Sequence, residues 1–355
     1  MLVSLIKDLF GQSARPVEDE FARATQMIRS EQYSSALDVL DSLRKRVPTS
    51  SQAMLLSAVA KRLMERPREA IADLTHALEL GANPAECHLQ LTLCWKALGD
   101  KGQAISHAEK VRELDPGSTE AFFLLTEMQL PGELYIDLLP RIISRLNPEA
   151  YVEIGVFRGH CLKLAASASA IVGIDPDPKI EWALEPHMKV FKTTSDAFFA
   201  QHDLRVELGG RSVDLAFIDG MHFFEFAMRD FANVERYAHK DTVVLIHDCY
   251  PMDEISADRN PRSMAWSGDV WRLIVLLKKY RPDLIINTIG TGPTGLAVIQ
   301  NLDPQSTFLR DNHDSLCKEF MALEYSYLAG DKPGKLNLFP NDWSAIEQLI
   351  APRAQ

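Results

Sequence analysis

The chain changes rhythm near residue 150. Before it, apolar and small residues recur at helical spacing, broken by short polar steps at 30–33, 65–67 and 99–101. Ala36, Ala70 and Ala104 stand 34 residues apart, Leu40 and Leu74 share that register, Ala108 adds a third small position, and Pro48 and Pro116 are two periods apart. Each period reads as helix, polar break, helix and a proline-containing turn. A final helix is expected over 117–130, and Pro131-Gly132 marks a boundary. After residue 150, short β-rich runs alternate with helical stretches, which predicts a parallel sheet with crossover helices. The expected strands are Tyr151–Gly155, Ala170–Asp175, a weak one at Met188–Lys192, Val213–Asp219 and Thr242–Asp248, then a hairpin of Leu284–Gly290 and Leu296–Gln300. Helices are expected near 157–168, 178–185, 196–208, 222–239 and 268–280, and later over 307–329 and from Trp343 to Ile350, the last capped by Asn341-Asp342.

A 34-residue helix-turn-helix period resembles the tetratricopeptide repeat over about 17–131. Small residues suit the points where paired helices approach closely, and proline ends a helix by removing a donor. Trp95 is the one tryptophan near a first-helix position, and glycine follows the first helix only in the third repeat. Such an array offers a surface for a protein partner or for self-association.

Composition narrows the classes. Of 355 residues, 46% are hydrophobic and 25% charged, as in an ordinary globular chain, and the net charge of −11 argues against a nucleic-acid-coating surface. No run approaches a membrane span. Residues 1–10 lack the build of a secretory signal, and a short helix is expected within 1–16. Five scattered cysteines without a CxxC pair point to free thiols in a reducing compartment, hence a cytoplasmic location.

The carboxylates of the second part are regularly placed. Glu153, Asp175, Asp196, Asp219 and Asp248 follow one another at intervals of 22, 21, 23 and 29 residues, about one βα unit each, and each lies on a strand or just past its end. Ligands of open α/β sheets bind outside the carboxyl ends of the strands, so these acids collect on one rim. The first loop, Glu153-Ile154-Gly155-Val156-Phe157-Arg158-Gly159, lacks the G-x-G-x-x-G dinucleotide fingerprint but lets backbone approach a ligand. Asp175 is placed to accept from both hydroxyls of a ribose. His222 follows Asp219 at a strand-to-helix turn on the ligand rim, where an imidazole suits proton removal near neutrality. His247 and Asp248 alternate along a strand, so only one is expected to face the site. The loop 250–267 is long and polar, as lids often are.

On these residues, segment 150–300 resembles a class I S-adenosylmethionine-dependent methyltransferase. Phe217-Ile218-Asp219-Gly220-Met221-His222, Asp230, Ile246-His247-Asp248, Gly268-Asp269-Val270-Trp271 and Gly292–Ile299 resemble a family of bacterial sugar and secondary-metabolite O-methyltransferases. The resemblance implies a Rossmann-like α/β domain with a seven-stranded, mostly parallel sheet, preceded by the all-α repeats. The expected divisions are 1–16, 17–131, 132–303 and a helical extension over 304–355. It implies that Glu153, Gly155 and Gly159 wrap the methionine and ribose of the cofactor, that Asp175 holds the ribose, and that Ser195 and Asp196 lie beside the adenine. Asp219 would face the sulfonium or the acceptor. His222 is the expected base, and Asp219 with Asp248 the expected ligands of Mg²⁺, although the family more often carries Asp-Asp or Asp-Asn where this chain has His-Asp. The expected acceptor is a hydroxyl of a sugar or other small metabolite. A protein methyltransferase whose repeats hold a peptide, and a scaffold that binds cofactor without turnover, are the alternatives.

Overall fold

The structure, a computed structural model, describes residues 17–262 and 266–351. The short helix expected within 1–16 lies outside them. The chain divides into two compact units, one ending at Ala121 and the other starting at Phe122.

The first unit is an array of helix pairs: Val17–Arg29 with Tyr33–Arg46, Ser51–Leu63 with Pro67–Glu79, and Pro84–Ala97 with Lys101–Leu114. Ala36, Ala70 and Ala104 all lie on second helices and are fully buried, as close helix approach demands. Ser50, Asn83 and Asp100 cap the following helices by accepting from the backbone N–H three residues on. The break after each first helix is the same turn three times. Glu31, Glu65 and Gly99 take φ of +59°, +59° and +77°, and the next residue donates back to Met27, Lys61 and Trp95 carbonyls at 2.8, 2.9 and 3.1 Å. This is the left-handed helix stop that glycine favours. Two of the three positions hold glutamate, so the period is written in geometry more faithfully than in glycine.

The second unit is an α/β sheet. Its strands are β1 (Ala150–Ile154), β2 (Ala170–Asp175), β3 (Met188–Lys192), β4 (Val213–Ile218), β5 (Ala238–His247), β6 (Ile285–Ile289), β7 (Leu296–Gln300) and β8 (Leu338–Phe339). Their order is β3-β2-β1-β4-β5-β7-β6-β8. The first five run parallel, and β7 is antiparallel to both β5 and β6. The seven expected strands are therefore present, and the two-residue β8 adds an edge by pairing with β6 in parallel. One face packs on Leu138, Leu139, Ile142 and Ile143 of helix Tyr135–Leu146 and on Ile346 and Ile350 of the C-terminal segment. Asp342 caps the last helix, Trp343–Leu349, as expected.

Three local expectations are corrected. No helix forms over 178–185; Trp182 instead donates to the Arg158 carbonyl at 3.3 Å, so contact with the loop after β1 shapes this segment. β5 starts at Ala238, earlier than the apolar run, after a register shift beside Val213. The segment after β5 is not a loose lid in its first part. Tyr250, Met252, Asp253, Ile255, Ser256 and Ala257 are buried, and Lys332 donates to the Pro251 carbonyl at 2.8 Å.

Two predictions follow from the array. Glu65→Gly should raise the stability of the chain by up to about 1 kcal/mol, read as a higher urea midpoint, because a left-handed glutamate costs more than a glycine there. The second concerns His88 and His107, whose Nδ1 atoms lie 2.9 Å apart with stacked rings. Burial holds both imidazoles below their usual 6.5, so the stability they permit is complete above that value and declines as pH falls beneath it. Amide exchange within 84–114, corrected for its intrinsic pH dependence, should quicken below pH ~6.5 and much less so in His107→Gln.

Candidate functional site

The carboxyl ends of β1, β2, β4 and β5 open into a cavity of about 730 Å³. Glu153, Gly155, Asp175, Ser195, Asp196, Asp219, His222 and Asp248 all line it. Gly159 stands behind its wall: φ is +71°, and a Cβ would meet Trp182 at 3.0 Å and Ile180 at 3.1 Å, so the residue serves the packing of that segment.

Parallel register brings the acids together. β1 lies between β2 and β4, and the Asp219 N–H donates to the Ile154 carbonyl at 2.8 Å. Gly155 then turns with φ +89°, and a Cβ on it would sit 2.0 Å from the Asp219 carbonyl oxygen. Its role here is the close crossing of two backbones. Asp175 accepts from the Phe157 N–H and the Asp177 N–H, both at 2.7 Å, which anchors the loop after β1 to the end of β2. Asp196 is held by a bidentate Arg229 at 2.8 and 2.9 Å. Glu153 is fully enclosed and takes a hydrogen bond from Tyr151 at 2.8 Å; burial pushes its carboxyl up to about 8.

The ends of β4 and β5 carry the most concentrated chemistry. Asp248 departs from strand geometry with φ +59°. That ends the alternation on which the expectation of opposite-facing side chains rested. His247 and Asp248 therefore meet: His247 Nδ1 lies 3.1 Å from Asp248 Oδ2 and 3.2 Å from Asp219 Oδ1. His222 Nε2 lies 2.9 Å from Asp248 and 3.6 Å from Asp219, while its Nδ1 faces the Trp266 carbonyl at 3.2 Å. Thr294 donates to the other Asp248 oxygen at 2.6 Å.

Charge follows from this geometry. Burial alone would lower both imidazoles, but the facing carboxylates dominate: Asp248 and Asp219 raise His222 to about 11 and His247 to about 10. Burial opposes the charge on Asp248 too, yet His247 and His222 hold it well below the usual carboxylate range, and Asp219 is lowered the same way. The facing carboxylates thus favour the protonated form of His222. The cluster sets two carboxylates, Asp248 buried and Asp219 partly so, against two rings whose protonated forms they favour.

Asp219, His247 and Asp248 each offer one donor atom, all within 4.8 Å of one another. The expected pair of ligands thus gains an imidazole, and a mixed oxygen–nitrogen donor set fits a divalent cation, with transition ions favoured by the nitrogen. His247 was missed because a strand pattern hides a side-chain flip made by the next residue. Tyr135, whose ring centroid is 4.0 Å from that of His247, comes from a helix before β1 that carried no motif. Of the polar loop, Trp266 lines the cavity and stacks on His222 at 5.1 Å, while Arg259 instead bridges Glu225 and the fully buried Asp269. Gly268 allows this, since a Cβ there would stand 1.9 Å from the His222 carbonyl oxygen.

Residues 152–249 match the family described as a methyltransferase domain. No curated protein matches the chain. Among solved structures, the chain is similar to an O-methyltransferase from Bacillus cereus in complex with SAH, at 13% identity and a TM-score of 0.36, covering 55% of this chain and 97% of that one. It is similar to cofactor-bound Rv0187 from MTB at 16% identity and a TM-score of 0.38, covering 62% and 97%. The TPR protein YrrB, with an unusual peptide-binding site, is similar at 16% identity and a TM-score of 0.31, covering 40% and 71%. With scores this low, the case rests on the matched segment and on the sheet itself. The second unit thus contains a segment that matches a methyltransferase domain, and helical repeats precede it. Among the described residues, no helix is long and apolar enough to cross a membrane.

Gly155→Ala tests the backbone crossing under the site. Steric overlap with the Asp219 carbonyl, added to an unfavourable φ, should cost about 2–5 kcal/mol. Calorimetry of the full chain should show the second unit strongly destabilised.

Proposed function

We propose that the protein transfers a methyl group from S-adenosylmethionine to a hydroxyl oxygen of a small metabolite, a sugar being the favoured class. The observation that carries this reading is the convergence of Glu153, Asp175, Asp219, His222 and Asp248 on one cavity at the strand ends of a methyltransferase domain. Glu153 and the loop from Gly155 lie where the methionine part of the cofactor would bind. Asp175 retains lone pairs for ribose hydroxyls beyond the two backbone N–H groups it already accepts. Ser195 and Asp196 lie at the adenine end.

The bound cofactor supplies an already activated methyl group, so the chain's task is alignment and proton removal. Tyr135, Trp266 and Phe226 wall the cavity and would shield a bound acceptor from water. A divalent cation held by Asp219, His247 and Asp248 would polarise the acceptor hydroxyl. His222 presents Nε2 to the same point and is the base of this reading. Its proton is held by Asp248 and Asp219, so it serves as a base only when added positive charge relieves that hold. The activity is assigned to a cytoplasmic enzyme, with the repeats available to a protein partner or to self-association.

The test is labelled S-adenosylmethionine with panels of glycans, small metabolites and peptides, with and without chelator. Label should enter a hydroxyl acceptor and fall away in His222→Ala, with cofactor affinity nearly kept. Asp175→Asn should weaken cofactor binding roughly 10–100-fold by calorimetry, the equivalent of one or two lost hydrogen bonds to a buried ribose. Unchanged affinity in Asp175→Asn would remove the ribose assignment. Label in peptides alone would favour a protein methyltransferase, and binding without transfer to any acceptor would favour a scaffold.

A further inference from the structure

Behind the turn Gly220–His222 lies a second, small space of about 10 Å³, about the room one water needs. Its walls are largely apolar: Ile218, Met221, Ala227, Ile246 and Val270. Two side-chain atoms of residues lining it are buried and lack any hydrogen-bond partner, Asp230 Oδ1 and His247 Nε2. One is an acceptor. The other belongs to a ring whose opposite nitrogen faces Asp219 and Asp248, and so is the nitrogen that carries a proton whether that ring is an imidazolium or a metal ligand through Nδ1. Isolated buried polar atoms are rare in folded proteins, and here two of complementary kind belong to residues that line one small, largely apolar space.

We infer that Asp230 is a positioning residue for His247, accepting the His247 Nε2–H through a single water in this chamber and so fixing the ring with Nδ1 toward Asp219 and Asp248. Asp230 stands on helix Phe224–Glu235, and the Ser195 hydroxyl donates to the same carboxylate. Asp230 thereby joins the cofactor end of the large cavity to the cluster at the end of β5. Burial pushes its carboxyl up to about 7, as suits a carboxylate whose charge lacks a direct partner. What the oriented ring does in methyl transfer rests on the function proposed above; the contact itself does not.

The experiment is ring nitrogen-15 spectroscopy of the full chain, with His247 assigned by its loss in His247→Gln. In the wild type, His247 Nε2 should resonate as a protonated nitrogen with a slowly exchanging proton. In Asp230→Asn, which removes the charge, and in Asp230→Leu, which also fills the chamber, that resonance should move and its proton should exchange faster, while His222 stays in place. Should Asp230→Leu fail to fold, Asp230→Asn carries the test. An unchanged His247 signal in the folded variants overturns the inference. If a methyl acceptor is found, both variants should also lower transfer roughly 10–100-fold. A shifted signal in a protein that methylates nothing would sink the proposed function and leave the contact standing.

Discussion

Two carboxylates, buried Asp248 and partly buried Asp219, meet at the ends of neighbouring strands, and that constraint organises the rest of the site. A buried unpaired carboxylate would take up a proton rather than keep its charge. Here it need not, because two imidazoles are built in against the pair. The surrounding structure serves that arrangement. Asp248 adopts a left-handed backbone so that its side chain meets His247, and Thr294 holds its far oxygen. Gly155 and Gly268 let backbone pass close to Asp219 and His222, where any larger residue would push the groups apart.

The same constraint explains what could be read in the sequence. Parallel strands have a short period and end in turns, so acids spaced one βα unit apart announced a shared rim, and the cavity has Glu153, Asp175, Asp196, Asp219 and Asp248 on its wall. The repeats were legible for a similar reason: Ala36, Ala70 and Ala104 are fixed by helix contact, which sequence spacing reports directly. His247 was not legible, because its orientation depends on one φ angle of the following residue. Asp230 was legible as part of the motif but not for its place, because the small space it lines is formed by strands and a helix distant in the chain. The failed helix at 178–185 shows a third limit. Trp182 and Ile180 are taken up by contact with Arg158 and Gly159, and tertiary packing overrides local propensity there.

The fixed parts of the second unit also bear on how the site can work. Asp269, fully buried, accepts from the Phe224 N–H at 2.7 Å and from Arg259 and Arg272 at 2.6 and 2.8 Å. It therefore caps the helix that carries Asp230 and anchors the backbone over His222 in one network. Arg272 extends this to the C-terminal segment through the Phe320 and Leu323 carbonyls. A site built this way is preorganised by its scaffold, as a reaction governed by alignment requires.

On the proposed function, the histidines change what the cluster can exchange. Two protonated rings place two positive charges against two carboxylates. A divalent ion held by Asp219, Asp248 and a neutral His247, beside a neutral His222, gives the same total. The two states differ by two protons for one dication and not in net charge, so the buried site tolerates either without an uncompensated charge. An all-carboxylate site has no built-in cation and could shed its charge only by protonating the carboxyls themselves. Replacing one carboxylate by His247 thus makes cation binding a competition with protons, weaker in acid and stronger as pH rises. It also leaves the metal-free chain with its charges balanced, which accounts for how two acids can stand so close together in a stable fold.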